Sequence, residues 1–401
     1  MNNKIVIITP FYPIYHRNDL FEDTKAVYYL LKEFPRNNEI LIVHSFFHGF
    51  RTAWKQLFKV VPVKINYKKY LYSDGYGNKL LFFENLLLFP KSIVTLPYFN
   101  IRYTKILEQF CKKEKFYPKI GVVHFPTYYV DFVNRMQIIP RKIAIIHSFD
   151  IKNIKNRANK GFWKQYFNSY DAIGFRSYII KREFEELIGI QRNSFICLSG
   201  IPESYIFNDL CKLDYNINKK IKLIYAGRLD RNKNVVKSIS ALSKIGNEID
   251  YSFTIVGDGE EKKHIEATAR ALGIFDRVIF TGAVSREKTF KLMQEADIFI
   301  MVSKKETLGL VYLEAMAAGC IVIGTRGQGI DGIIINGENG FLTDSENEEE
   351  IYKTIYQVIK LSPNEQKRIR ENAKNTIKYL SDTTLSKKYY ANIYSVIQED
   401  K

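Results

Sequence analysis

Two carboxylates lie eight residues apart in the stretch ETLGLVYLEAMAAG, as Glu306 and Glu314. The stretch follows an apolar run that predicts a strand, and its own apolar spacing predicts a helix. We expect Thr307 to cap this helix and Gly309 to let the backbone approach a ligand closely. With the helix beginning near Leu308, its free N–H groups and its dipole would favour an anion. Glu314 then lies about two turns along, a separation comparable to that between the ribose and the phosphates of a nucleoside diphosphate.

Two cations follow another predicted strand further up the chain. Gly227 permits a tight turn there, and Arg228 and Lys233 put positive charges just past the strand, where they suit a diphosphate. Exposed basic side chains are often merely solvated, and strand–loop–helix units recur in every α/β protein. Neither the cations nor the glutamates therefore identify a site alone.

Glycines follow three further predicted strands. Gly257 begins the turn sequence GDGE. The second turn, residues 282–284, has the sequence GAV and ends at Val284. The third is the glycine-rich turn of residues 324–332. Ligands of doubly wound sheets collect at the carboxyl ends of the strands, where these turns would meet the cations and carboxylates. The convergence predicts a nucleotide-sugar site.

The elements that must position these residues form two series of apolar strand-like runs, with helical patterns between them. Such alternation is typical of parallel sheets covered by helices on both faces. We therefore predict an α/β fold with two Rossmann-like domains and a boundary between Ser204 and Lys220. The first series comprises Ile5–Ile8, Ile40–Val43, Gly121–Phe125, Ile143–His147, Ala172–Phe175 and Phe195–Leu198. The second comprises Leu223–Ala226, Phe253–Val256, Val278–Thr281, Ile298–Val302, Cys320–Ile323 and Gly340–Leu342.

Composition restricts the function classes. The 401 residues carry a formal net charge of +17, which implies an acidic partner: nucleic acid, an anionic membrane face or a phosphorylated substrate. The four cysteines are scattered without metal-ligand spacing, as in a cytosolic protein with reduced thiols. We expect no secretion signal, and the apolar run Leu80–Phe89 is too short to span a bilayer.

The positive charge is concentrated in two segments that also contain aromatic residues. Residues 46–73 contain six lysine and arginine residues and no acid, and residues 152–167 contain five, again without an acid. Basic and aromatic segments of this kind suit docking on an anionic membrane surface. The alternative is a pair of solvated basic loops packed by a few aromatic side chains.

Residues 220–345 resemble the donor-binding domain of the retaining glycosyltransferases of GT-B fold, the family with two glutamates separated by seven residues. The matching pieces, in order, are YAGRL with Lys233, VGDG, FTG, the pair Glu306 and Glu314, and NGENGFL at residues 336–342. The resemblance implies two Rossmann-like domains that face each other across a cleft. It also implies that the last helix returns to the first domain, which gives an acceptor-binding domain of residues 1–205 plus 382–401 and a donor-binding domain of residues 206–381.

The resemblance also implies a role for each matching position. Arg228 and Lys233 would hold the donor diphosphate and neutralise the departing nucleotide, and Glu306 would bind the hydroxyls of the donor sugar. The backbone N–H groups of Leu310 and Val311 would meet the phosphate. The remaining implied contacts are Glu314 with the ribose hydroxyls and residues 282–284 with the base.

The first half matches the family less closely. Family members often have paired glycines after the first strand, whereas residues 10–19 read PFYPIYHRND, without glycine. His147, at the end of the run IAIIH, matches a position that faces the transferred sugar, although a strand-end histidine can also simply bond to nearby backbone. His124 we interpret as structural.

The chemistry that the resemblance implies is front-face transfer, in which a donor phosphate oxygen takes the proton of the acceptor and no protein nucleophile is needed. The sequence has no Asp-x-Asp pair, and Arg228 with Lys233 can do the charge work of a divalent ion, so we expect neither a metal nor another cofactor. UDP is the expected nucleotide because it is frequent in the family.

The predicted function is thus transfer of a sugar to a lipid-linked or polysaccharide acceptor in bacterial surface-glycan synthesis: O-antigen, capsule or lipopolysaccharide. The enzyme would be cytoplasmic and peripheral on the inner face of the membrane. A sugar-nucleotide epimerase of similar fold is an alternative, although the epimerases lack this motif order. A phosphorylase would need a pyridoxal lysine and is usually far longer. A nucleic-acid binder is suggested only by charge, without a recognition motif.

Overall fold

The computed structural model describes residues 3–10, 12, 26–35, 38–48, 71–74, 77–86, 97–130, 136–156, 159–207, 220–246 and 249–398. Its contacts divide the chain into two compact units. The first unit comprises residues 1–176, 180–197 and 386–401, and the second comprises residues 177–179 and 198–385. The division at 197/198 lies eight residues before the expected boundary at 205/206, and the division at 385/386 lies four residues after the one expected at 381/382. The expected linker falls largely on residues 208–219, outside the described residues.

The first unit contains an eight-stranded sheet with the order β3-β4-β2-β1-β5-β6-β7-β8 among the described residues. All neighbouring strands are parallel except β3 and β4, which are antiparallel. The strands are β1 Lys4–Thr9, β2 Glu39–His48, β3 Leu71–Ser73, β4 Lys79–Leu86, β5 Ile120–His124, β6 Lys142–Ile146, β7 Ala172–Phe175 and β8 Ser194–Ile196.

Both faces of this sheet are buried, as a parallel sheet requires. Along β1, Val6 and Ile8 belong to one buried apolar cluster, whereas Ile5 and Ile7 belong to the other. This alternation follows from the two-residue period of a strand. The helices of the unit are α1 Ala26–Leu30, α2 Pro97–Lys113, α3 Ser148–Asn156, α4 Lys160–Phe167 and α5 Tyr178–Ile188, whose first two residues belong to the second unit.

The second unit contains a six-stranded, wholly parallel sheet with the order β11-β10-β9-β12-β13-β14. Its strands are β9 Ile221–Ala226, β10 Tyr251–Val256, β11 Val278–Gly282, β12 Ile298–Ile300, β13 Ile321–Thr325 and β14 Phe341–Thr343. The chain builds outward from β9 to β11, then returns to the other side of β9 with β12. The strand order therefore reverses between β9 and β12, and loops at such a point diverge to leave a crevice.

The described helices of the second unit lie before, between and after these strands. They are α6 Glu203–Ile206, α7 Val235–Ser243, α8 Lys262–Ala271, α9 Arg286–Glu295, α10 Leu310–Ala317, α11 Glu348–Ile359 and α12 Pro363–Ile377. The last helix, α13 Asp382–Gln398, begins in the second unit and continues in the first. Its residues Tyr389, Ile393 and Val396 are buried in the same cluster as Ile5 and Ile7.

Each of the twelve predicted strands overlaps an observed one, and the prediction of two parallel α/β sheets is confirmed. Two strands were not predicted. One is β4, which overlaps the apolar run Leu80–Phe89, and the other is the short antiparallel β3. No helix of the described residues combines the length and the apolar character needed to cross a bilayer.

Candidate active site

The loops after β9 and β12 meet where the strand order reverses. The side-chain amide of Asn232 donates to the carbonyl oxygen of Lys305 at 2.7 Å, and the backbone N–H of Lys304 donates to the carbonyl of Asn232 at 2.8 Å. Within the first loop, Asp230 accepts hydrogen bonds from the backbone N–H groups of Asn232 and Lys233, at 2.9 and 3.1 Å. An aspartate that bonds two residues ahead stabilises a tight turn, so the position of Lys233 is fixed locally.

Lys233 and Glu306 form an ion pair across these loops. The Nζ of Lys233 is 2.5 Å from Oε2 of Glu306, and the two side chains are 19% and 16% exposed. The backbone of Glu306 is held from a third loop, since its N–H donates to Oε1 of Gln328 and its carbonyl accepts from the N–H of Gly329, both at 2.9 Å. Within the described part of the chain, Oε1 of Glu306 has no hydrogen-bond partner. That oxygen is available to a ligand hydroxyl.

The helix beside this pair begins two residues later than the sequence suggested. Helix α10 begins at Leu310 with Gly309 as its N-cap, so the prediction of Thr307 as the cap and of a start near Leu308 is wrong. The φ angle of Gly309 is +75°, and a Cβ there would lie 2.5 Å from the ring of Tyr312. The N-cap is thus a glycine, so no side chain of the N-cap residue accepts a hydrogen bond from the first backbone N–H groups of the helix. Glu314 lies about one turn into the helix rather than two.

Glu314 is paired with an arginine that the sequence analysis missed. Arg286, the first residue of α9, donates from Nε to Oε1 of Glu314 at 2.7 Å and from a second nitrogen to the same oxygen. Burial raises the pKa of Glu314, while the charge of Arg286 and its hydrogen bond act in the opposite direction. The guanidinium also lies 5.7 Å from the ring centre of Tyr205. The rule that selected Arg228, a cation soon after a strand end, would have found Arg286 four residues after β11.

Most of the predicted donor-binding residues line one cavity of about 540 Å³ within the second unit. This volume is typical of small-molecule sites, which span roughly 300–1,000 Å³. Predicted residues in its wall are Gly227, Arg228, Lys233, Gly257, Val284, Glu306, Gly309, Leu310, Val311 and Glu314. Ala283, which belongs to the predicted base-contacting residues 282–284, also lines it, and so do Ala226, Val256, Asp258, Arg286 and Thr289, which were not predicted. Thr307 and Leu308 are not part of the wall, and Leu308 is buried instead.

One of the wall glycines is required by backbone packing. A Cβ on Gly257 would lie 1.9 Å from the carbonyl oxygen of Gly227, and the φ angle of Gly257 is +143°. Any side chain there would separate the loops after β9 and β10. Gly257 therefore brings these two strand ends together beneath the cations.

The cavity concentrates opposite charges in a partly desolvated space. Arg228, Lys233 and Arg286 line it together with the carboxylates Glu306 and Glu314. The N-terminus of α10 adds uncapped N–H groups and the positive end of a helix dipole. This arrangement can hold a diphosphate on its cations and amides and bind hydroxyl groups on its two glutamates.

His147 lies in the first unit, directly after β6, and is 8% exposed. Its ring stacks on Phe125 with 3.6 Å between ring centres, and its Nε2 is 3.2 Å from Nδ1 of His124. Burial, followed by the charges of His124 and Arg176, lowers the pKa of His147 well below its ordinary value. His124 is fully buried and bonds to the hydroxyl of Tyr389 at 2.8 Å. The role of His147 in catalysis stays a prediction.

Comparison with known proteins adds independent information. The profile of the family described as "Glycosyl transferases group 1" matches residues 213–376. The N-acetyl-alpha-D-glucosaminyl L-malate synthase of Bacillus anthracis is 31% identical over 238 residues, which are 58% of this chain and 61% of that protein. The chain thus matches less than two thirds of the length of this relative.

Two further matches extend the comparison. The Campylobacter jejuni GalNAc-alpha-(1->4)-GalNAc-alpha-(1->3)-diNAcBac-PP-undecaprenol alpha-1,4-N-acetyl-D-galactosaminyltransferase is 28% identical over 175 residues, which are 43% of this chain and 47% of that protein. The structure of Anabaena Alr3699/HepE in complex with UDP and glucose superposes with a TM-score of 0.66 at 17% identity, over 98% of this chain and all of that one. At this identity the structural match bears on the fold alone. The chain has the GT-B fold, and its residues 213–376 match the glycosyl transferases group 1 family.

Proposed function

We propose that this protein is a glycosyltransferase that moves a sugar from a nucleotide-sugar donor to a glycan or glycolipid acceptor. The observation that carries the proposal is the cavity of the second unit, where Lys233 and Glu306 pair beside the N-terminus of α10. The family match of residues 213–376 and the names of the relatives support the same activity.

The donor would use each charged group of the cavity. Arg228, Lys233 and the first amides of α10 hold the diphosphate, and Glu306 binds hydroxyls of the sugar through its unpaired oxygen. Glu314 binds the ribose hydroxyls. Loss of the nucleoside diphosphate develops negative charge, and fixed cations and N–H dipoles lower the barrier by electrostatic preorganisation.

The donor nucleotide in this proposal is UDP, and the pathway is bacterial surface-glycan synthesis. Anabaena HepE, which shares the fold, was crystallised with UDP and glucose. The Campylobacter relative is named for an acceptor carried on PP-undecaprenol, which supports a lipid-linked acceptor here. The most specific part of the proposal is that the product belongs to O-antigen, capsule or lipopolysaccharide.

A panel of ligands tests the donor assignment. We expect UDP and one UDP-sugar to raise the melting temperature, because a ligand that binds only the folded state stabilises it. Lys233→Ala should abolish the shift. Lys237→Ala is the matched control, since Lys237 lies one turn along α7, pairs with Glu348 and does not line the cavity. A panel in which no nucleotide changes the melting temperature or produces heat in calorimetry would contradict the proposal.

Transfer in this proposal retains the anomeric configuration and needs no metal. A donor phosphate oxygen takes the acceptor proton on the front face, and the cavity's three cations neutralise the leaving group. NMR of the product gives its configuration, and an inverted product would contradict retention. Activity should persist in excess chelator, so a complete loss that magnesium restores would contradict metal independence.

We also propose that the protein docks on the inner face of the cytoplasmic membrane. Of the two basic-aromatic segments, residues 49–70 of the first lie outside the described residues. In the second, Lys152, Lys160 and Lys164 are exposed and Phe162 is 40% exposed. Trp163 and Phe167 are buried in the core instead, so the aromatic contribution is smaller than the sequence suggested.

Vesicle flotation tests the docking. The wild type should float with vesicles rich in phosphatidylglycerol and not with neutral ones, because each basic residue near an anionic surface contributes about 1 kcal/mol. The double variant Lys160→Glu, Lys164→Glu should float less. A control with the same charge change, Lys263→Glu, Lys367→Glu, alters exposed lysines of the second unit. Equal flotation of both variants would contradict a specific docking face.

A further inference from the structure

Three polar side chains of the first unit form a buried hydrogen-bonded chain. The hydroxyl of Tyr389, on α13, is 2.8 Å from Nε2 of His124, at the end of β5. Nδ1 of His124 is in turn 3.2 Å from Nε2 of His147, directly after β6. Tyr389 is 1% and His124 0% exposed, so water does not compete for these bonds.

The donor and the acceptor of each of these hydrogen bonds follow from counting the available protons. Within the described residues the Tyr389 hydroxyl has one partner, Nε2 of His124. If that nitrogen were the donor, the phenolic proton would be buried without an acceptor, which costs about 1–3 kcal/mol. When the phenol donates, only an oxygen lone pair is left unused, which is the smaller penalty. Tyr389 is therefore the donor.

The remaining protons then have fixed places. Since Nε2 of His124 accepts, its proton is on Nδ1, which donates to Nε2 of His147. A neutral His147 must then carry its own proton on Nδ1. That atom has no hydrogen-bond partner among the described residues, and His147 is 8% exposed, so Nδ1 is the ring nitrogen left to bind a ligand.

We propose that Tyr389 and His124 are positioning residues that hold His147 as the tautomer protonated at Nδ1, ready to donate a hydrogen bond to a substrate oxygen. On this inference, which rests on the proposed glycosyl transfer, His147 orients a hydroxyl group of the sugar or the acceptor. It is not a base that takes a proton, because the nitrogen that is not bonded to His124 already carries one.

The directions of the pKa shifts agree with neutral forms of the three hydrogen-bonded side chains. Burial, then the charge of Arg176, lowers the pKa of His124 well below its ordinary value, and the pKa of His147 is lowered as well. Arg176 is itself 5% exposed and donates to the carbonyl oxygen of Cys197 at 2.8 Å. Burial also raises the pKa of Tyr389 well above its ordinary value, so the phenol keeps the proton that it donates.

The ring of His147 is held by two further contacts. Phe125 stacks on it with ring planes 16° apart, and the backbone N–H of His147 donates to Oδ2 of Asp150 at 2.8 Å. Phe125 itself has a φ of +57°, which is uncommon for a residue with a side chain. Backbone strain is therefore tolerated where it places an aromatic ring against His147.

Nitrogen NMR of the histidine rings tests the tautomer directly, without any transfer reaction. The protein is labelled with 15N-histidine, and the signals of His147 are identified by their loss in His147→Gln. We expect His147 protonated at Nδ1 in the wild type, and a mixture of tautomers in Tyr389→Phe. Tyr390→Phe is the matched control, because Tyr390 is the next residue of α13 and bonds to Asn38 instead. A wild-type His147 protonated at Nε2 would overturn the inference.

Kinetics test the consequence for catalysis. Loss of one orienting hydrogen bond should lower kcat about tenfold in Tyr389→Phe, with little change in the KM for the donor. Tyr390→Phe should retain the wild-type kcat. If Tyr389→Phe keeps both the wild-type rate and the single tautomer, the inference fails. If the wild type lacks transfer but shows the Nδ1 tautomer, the proposed function fails while the positioning by Tyr389 stands.

Discussion

The ammonium of Lys233 and the carboxylate of Glu306 lie 2.5 Å apart, although 73 residues separate them in the chain. Both side chains are largely shielded from water. Each therefore balances the charge of the other before a ligand arrives, and each keeps a share of its bonding capacity for that ligand. An ammonium has three donors and a carboxylate has two oxygens, so the pair can bind a phosphate and a hydroxyl together.

Lys233→Ala and Glu306→Ala should each lower transfer at least about a hundredfold, because each removes charge stabilisation of the leaving group or the sugar. Circular dichroism should show the fold intact, since neither side chain lies in the apolar core. Turnover with the true donor and acceptor is the measurement. Near-normal turnover in either variant would argue against the proposed site.

Arg286→Gln should make nucleotide binding more sensitive to acid. Burial raises the pKa of Glu314, and Arg286 is the group that opposes this rise. Without Arg286 the pKa rises further, so Glu314 becomes protonated at a higher pH and accepts fewer bonds from ribose hydroxyls. Titration of UDP at several pH values should show binding lost earlier on acidification than in the wild type. Lys288→Gln, two residues along the same helix and exposed, should bind as the wild type does.

Glu314→Gln should stabilise the protein while weakening its nucleotide affinity. Burial raises the pKa of Glu314 in the folded protein above its value in the unfolded chain. Between these two pKa values the folded protein binds more protons than the unfolded chain, so stability falls as the pH rises through that range. The amide cannot ionise and avoids this cost. We expect the melting temperature at neutral pH to rise, and Glu371→Gln, at an exposed position, to leave it unchanged. A fall in the Glu314→Gln variant would mean that its pairing with Arg286 outweighs burial.

Acid should destabilise the first unit through its buried histidines. Burial lowers the pKa of His44 to about 3 and lowers those of His124 and His147 well below the ordinary value. Below about pH 6.5 the unfolded chain takes up protons that the folded one does not, so stability falls by roughly 1.4 kcal/mol per histidine for each pH unit. His147→Asn should show a shallower decline of melting temperature with acid. Parallel curves for the variant and the wild type would contradict a neutral His147.

The sequence was sufficient for the parts of the fold that depend on local pattern. Continuous apolar runs identified twelve strands, because a strand covered on both faces has few polar positions. The short strand β3 has a half-buried residue and two exposed ones, so it leaves no such run. The start of α10 was misplaced because Thr307 is a good cap by residue type. The actual cap is the left-handed Gly309, where a Cβ would clash with the ring of Tyr312.

Site residues that lie soon after a predicted strand could be predicted from the sequence. Side-chain pairs between distant segments could not. Arg228 and Lys233 lie two and seven residues after the end of β9, so one rule selects both. The partnership of Arg286 with Glu314 joins two different helices, and nothing in either segment alone announces it. The same holds for Tyr389 and His124, which are 265 residues apart and meet only in the folded core.

The final helix has a consequence for how the protein is made. Tyr389, Ile393 and Val396 complete a cluster that includes the first strand, yet the ribosome adds them after every residue of the second unit. The first unit is thus synthesised first but completed last. Until α13 is made, the face of the sheet that carries Ile5 and Ile7 lacks part of its apolar cover. Nascent chains should consequently depend on chaperones for that interval, and a stop codon at position 386 should yield aggregates even though the second unit is already encoded in full.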